Sequence, residues 1–100
     1  MFLYNITINF NTQQKDWLLT WIKNDIINEI LKTEHFHTNK MFRLLNEVGG
    51  TGLTYSLQFF SDNQSDIDNF RLHHEVKFLE KIGSKLPGDL VYFVSILEEE

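Results

Sequence analysis

Between Leu53 and Phe60 the chain alternates strictly. Leu53, Tyr55, Leu57 and Phe59 are apolar, and Thr54, Ser56 and Gln58 between them are polar. Successive side chains of a strand point to opposite faces, so this period of two specifies a strand with one buried face and one wetter face. The opening stretch Phe2–Phe10 repeats the pattern, with Tyr4, Ile6, Ile8 and Phe10 on one side and Leu3, Asn5, Thr7 and Asn9 on the other. Two such strands side by side at the centre of a sheet need a layer over their apolar side. Their other side is left to water or to a partner.

The remaining elements follow in order. Asn11 or Thr12 caps a helix from about Gln13 to Lys32, and Asn11 with Gln14 has capping-box spacing. Leu19, Ile22, Ile26 and Ile30 form one stripe of this helix; Trp17, Trp21, Ile27 and Leu31 form another. A surface helix needs one stripe only, so either the second is covered as well or the helix breaks near Asn24-Asp25 and changes phase. Phe36 anchors a polar connection, Lys40–Val48 reads as a second strand, and Val48-Gly49-Gly50-Thr51-Gly52 reads as a hairpin turn into Leu53. Ser65 with Asp68 marks the start of a second helix, with Ile67, Phe70, His74, Phe78 and Ile82 as its main stripe and Leu72, Val76 and Leu79 as a second. Gly83 is the expected stop, Leu86-Pro87-Gly88-Asp89 a turn, and Leu90–Leu97 the fourth strand.

The order β-α-β-β-α-β with right-handed crossovers places strands one and three at the centre and both helices on one face. The expected fold is a ferredoxin-like α+β sandwich with a four-stranded antiparallel sheet, one domain over residues 1–100. The length supports one core and not two. A net charge of −5 with no basic stripe excludes nucleic acid and anionic membrane surfaces as expected partners. The absence of Cys removes disulfides, thiolate zinc sites and a cysteine nucleophile. No signal or membrane-spanning segment is legible, so the expectation is a cytoplasmic protein.

The uncovered face of the sheet carries the functional expectation. It should present Asn5, Thr7 and Asn9, then Thr54, Ser56, Gln58 and Phe60, then Val91, Phe93, Ser95 and Leu97, with Met41, Arg43 and Leu45 from the second strand. The centre is polar and the margin apolar. A homodimer formed through this face accounts for both, with the rim on the partner and the centre lining a cleft. The expected cleft residues are Asn5, Thr7, Arg43, Ser56, Gln58, Phe93 and Ser95, able to orient a small polar or aromatic molecule. Arg43 suits a carboxylate, because its fork matches planar anions. His74 is the one candidate acid–base residue, an imidazole between Phe70 and Phe78. For His35 and His37 the only obvious local third ligand is Glu34, and a solvated loop is the preferred reading, so no metal is expected, and no cofactor is implied. Gly49-Gly50-Thr51-Gly52 lies between strands and is a turn, not a phosphate loop.

Met1 through Asn9, Trp17-Leu18-Leu19-Thr20-Trp21, Tyr55 through Phe60 and Phe93 through Glu99 resemble a family of small bacterial proteins of about this length, catalogued as a domain of unknown function. The resemblance implies a dimeric α/β-barrel arrangement like that of the antibiotic-biosynthesis monooxygenase and muconolactone isomerase groups, and no established activity. The chain departs from the family pattern at Ile26 and Asn28, where a His-x-Pro is usual, and at Val94, where a basic residue is usual. The leading expectation is a non-catalytic homodimeric module whose cleft binds a small molecule or another protein. The alternative is a cofactor-independent monooxygenase- or isomerase-like enzyme in which His74 or Arg43 assists. A third reading makes Trp17 and Trp21 anchors for a protein partner.

Overall fold

The computed structural model of the chain describes residues 1–46, 52–85, 88 and 90–100. Strand β1 (Phe2–Phe10) leads into a helical column made of a 3-10 turn (Thr12–Gln14), α1 (Lys15–Trp21), a π turn (Ile22–Ile26) and α2 (Ile27–Lys32). Strands β2 (Thr38–Arg43) and β3 (Leu53–Ser61) follow, then α3 (Gln64–His73), α4 (Glu75–Lys85) and β4 (Val91–Glu98). The sheet order is β2-β3-β1-β4, with every neighbouring pair antiparallel. This is the ferredoxin-like arrangement. The two strands with the cleanest period of two are the central pair, registered from Phe2 opposite Ser61 to Phe10 opposite Leu53.

All helices cover one face. Tyr4, Ile6, Ile8 and Phe10 meet Leu53, Tyr55, Leu57 and Phe59 from the sheet, and Leu18, Ile22, Ile26, Ile27, Ile30, Ile67, Phe70, Phe78 and Ile82 from the helices. An aromatic cluster fills one end of this core. The Phe70 ring lies 5.1 Å from Tyr4, 5.0 Å from Phe36 and 5.9 Å from Phe78.

The helical column carries the phase change. Its buried stripe is Leu18, Ile22, Ile26 and Ile30, with Leu18 in place of the expected Leu19. Steps of four residues overshoot one α-helical turn by about 40° each, so in an unbroken α-helix the stripe would wind away from the sheet. The π turn absorbs part of that drift through a hydrogen bond from Ile27 N–H to Ile22 C=O, and it brings Ile27 into the core too. Trp17 stays outside, and Trp21 is half-buried with Lys85 Nζ 4.6 Å from its ring centre. Asn11 is the cap, accepting from Gln13 N–H, while Gln14 accepts from the Trp17 indole.

The second helix differs from its sequence reading in four ways. Its cap is Asn63, which accepts from Asp66 N–H, so the helix begins at Gln64 and Ser65 is inside it. It breaks at His74 (φ −129°, ψ −28°). Leu72 and Val76 are exposed, so the expected second stripe keeps only a half-buried Leu79. Gly83 lies within α4 and does not end it; a Cβ there would stand 3.2 Å from the Tyr92 ring, so the glycine admits a strand side chain close to the helix.

The expected hairpin turn lies outside the described residues apart from Gly52, as do Leu86, Pro87 and Asp89 of the later turn. Gly52 has φ +101°, and a Cβ there would sit 2.5 Å from the Phe10 carbonyl oxygen. Both the left-handed backbone and the contact oppose any side chain. Gly52→Ala should lower stability by about 2 kcal/mol or more in urea unfolding. A neutral result would show that β3 enters the sheet by another route.

Candidate functional site

Directly opposed residues of antiparallel strands share a face, so the registers define the open side of the sheet row by row. Lys40, Gln58, Asn5 and Ser95 form one row; Phe42, Ser56, Thr7 and Phe93 form the next. Thr38, Phe60, Leu3 and Leu97 lie at one end, and Thr54, Asn9 and Val91 at the other.

The centre is tied together by its own hydrogen bonds. Gln58 Nε2 donates to Ser56 Oγ at 3.1 Å, the Ser56 hydroxyl donates to Asn5 Oδ1, and Asn5 Nδ2 donates to Thr7 Oγ1 at 2.9 Å. Asn9 Nδ2 donates to Thr54 Oγ1 at 3.0 Å. Asn5 is only 8% exposed although it lies on the uncovered face, because its neighbours pack around it. The relay runs one way, so it uses neither the Thr7 hydroxyl proton nor the Gln58 carbonyl oxygen. Around this centre the apolar margin is open: Phe42 is 52%, Phe93 58% and Val91 65% exposed. A shallow depression of 190 Å³ lies between Leu3, Phe60 and Leu97.

The second strand corrects the sequence reading. It begins at Thr38 and runs in the opposite phase, so Thr38, Lys40 and Phe42 face outward while Met41 opposes Leu57 and Arg43 opposes Tyr55 on the helix side. Arg43 is therefore not part of the open face, and Leu45 lies past the end of the strand. Met41, Phe42, Leu44 and Leu45 are all apolar and support either phase, so pairing with β3 decides it. Asn5, Thr7, Ser56, Gln58, Phe93 and Ser95 do come together on one face.

His74 lies across the sheet from that face. Its ring stacks on Phe70 at 5.8 Å, with His35 at 5.5 Å and His73 at 6.4 Å. Sequence reading missed what surrounds it. The Tyr4 phenol donates to Glu75 Oε2 at 2.7 Å, and Arg71 Nε donates to the same oxygen at 3.1 Å. Tyr4 reads as a core position, and no local spacing connects it to Glu75 so far along the chain. Burial and the Glu75 carboxylate push the Tyr4 phenol above its ordinary range, so it stays a neutral donor. His35 lies 3.4 Å from Asp66, and His37 lies 3.5 Å from Asp62. Among the described residues, no group of three or more such side chains is placed to hold a metal ion.

Loss of hydration, then the charges of His35, Lys77 and His73, lower the His74 pKa from 6.5. Below about pH 6.5 the unfolded chain then binds more protons than the folded one, so His74 costs stability as pH falls toward its folded pKa. Urea midpoints should drop between pH 7.5 and 5.5, and His74→Gln should reduce the drop. An unchanged slope in that variant would assign the acid sensitivity elsewhere.

Similar solved structures share the fold at low identity. HapK from Hahella chejuensis matches with a TM-score of 0.68 and 12% identity, over 100% of this chain and 93% of that one. A dimeric ferredoxin-like protein from an uncultured marine organism matches at 0.64 and 13%, over 96% and 92%. A dimeric protein of unknown function and ferredoxin-like fold from Bacteroides fragilis matches at 0.58 and 16%, over 97% and 96%. No curated protein matches the chain. The chain belongs to the family described as Domain of unknown function (DUF4286), whose model matches residues 1–100.

Proposed function

We propose that this family member is a non-catalytic homodimeric module whose open sheet faces oppose one another around a cleft for a small, uncharged polar molecule. The observation that carries the reading is the exposed apolar margin of Phe42, Val91, Phe93 and Leu97 flanking a polar, internally bonded centre. Monomers seldom leave such a margin in water. Two solved proteins of the same fold are described as dimeric, which supports the assembly.

Asn5, Thr7, Ser56, Gln58, Phe93 and Ser95 line the proposed cleft. Thr7 donates and Gln58 accepts, so a ligand pairing a carbonyl with an N–H or O–H group fits the relay. The reading is non-catalytic because the described residues of this face include no carboxylate pair and no nucleophile beside a base. Among the described strand residues Lys40 is the one charge on this face, and it sits on an edge strand where a lysine keeps the edge soluble.

Native mass spectrometry of the purified protein tests both parts. The expected species is twice the 11.9 kDa chain mass, with a retained neutral compound that Gln58→Leu releases. A monomer throughout the micromolar range would sink the assembly. A dimer with no retained or added neutral ligand would sink the cleft alone.

A further inference from the structure

A furrow of 590 Å³ runs along the outer side of the helical column, lined by Asp16, Trp17, Thr20, Trp21, Asn24 and Asp25. A second depression of 450 Å³ continues it from Asn24 and Asp25 toward Lys32. Together they span about 24 Å at 1.5 Å per residue, long enough for a bound segment of several residues.

The Trp17 ring is 42% exposed and held in place, since its indole N–H donates to Gln14 Oε1 at 2.6 Å. A large, pre-ordered aromatic surface binds at low entropic cost, which is why tryptophan carries so much interface energy. Among the described residues, Asp16 and Asp25 have no ion-pair partner, whereas Glu29 nearby is engaged by Lys81 at 2.7 Å. The outer helix face thus presents two unneutralised carboxylates beside an indole, on a chain of net charge −5. That combination suits a cation with an apolar stem. Lys85 already shows the contact, its ammonium resting over the neighbouring Trp21. The floor of the furrow includes the π turn, a feature that recurs at functional positions.

We infer that this furrow docks a basic segment of another protein, with an arginine or lysine side chain over Trp17 beside Asp16 and a second basic side chain beside Asp25. The furrow lies on the far side of the molecule from the open sheet face. It therefore stays accessible in a face-to-face dimer and does not rest on that assembly.

The probe is a short, end-blocked peptide alternating arginine with leucine, titrated into the full chain by calorimetry and tryptophan emission. A version with glutamate for arginine is the control. The arginine peptide should bind and weaken at high salt, and the glutamate peptide should not bind. Trp17→Ala and Asp25→Asn, both at exposed positions, should each weaken binding by about tenfold while leaving the circular dichroism unchanged. No binding, equal binding of the two peptides, or full affinity in both variants would overturn the inference. So would loss of self-association in Trp17→Ala, which would assign the furrow to a second copy of this chain.

Discussion

Replacing Phe42 and Phe93 together with aspartate should convert the proposed homodimer to a monomer at micromolar concentration. Both rings stand more than half exposed in the chain and flank the polar centre from opposite edges of the sheet. Burying a phenylalanine contributes about 1.5–3 kcal/mol. A two-fold assembly loses four rings from two substitutions, each with about half of its burial left to gain, so the cost is about 3–6 kcal/mol, roughly two to four orders of magnitude in dissociation constant. Carboxylates buried in the seam add a desolvation cost to that loss. The chain itself should stay folded, because neither ring belongs to its core, and circular dichroism at low concentration should match the parent. Light scattering coupled to size exclusion reads the result. If the double variant remains dimeric, the open faces are not what meet.

Phe70→Ala removes the ring around which the aromatic end of the core is packed, and should cost about 3–5 kcal/mol. Phe70 is fully buried and meets Tyr4 edge-on, Phe36 edge-on and Phe78 nearly parallel. It also supports His74, so the alanine variant should lose the break in the second helix as a defined geometry. Domains of this size are stable by only about 5–15 kcal/mol, so the variant sits near the edge of folding at 37 °C. Phe70→Leu refills most of the space and should cost far less, about 1 kcal/mol. Equilibrium urea unfolding measures both. A loss below about 1.5 kcal/mol in the alanine variant would mean that neighbouring rings close over the gap.

Much of the fold is legible in the residues themselves. The alternation in Phe2–Phe10 and Leu53–Phe60 names two strands, their buried faces and their central place. This follows because a period of two admits one buried side only. The polar row of Asn5, Thr7, Ser56 and Gln58 follows from the same alternation. The phase change in the first helix is visible as two competing stripes, with the place of the break close to where the π turn lies. The aromatic content and the spacing of Ile67, Phe70, Phe78 and Ile82 mark the core side of the second helix.

Other features were settled only by tertiary contact. Arg43 reads as an open-face residue, yet the hydrogen-bonded register with β3 turns it to the helix side; a strand with apolar residues in both phases carries no internal record of its facing. Gly83 reads as a helix stop, yet it serves the approach of Tyr92 from a strand that the helix meets only after folding. Tyr4 and Glu75 are far apart along the chain and meet because the crossover brings the break at His74 over the end of β1. The sequence thus determined which faces are apolar and in what order the elements come, since those depend on neighbours two to four residues away. Only the folded chain decided edge register, close approach and buried polar pairing, since each depends on atoms from distant parts of the chain.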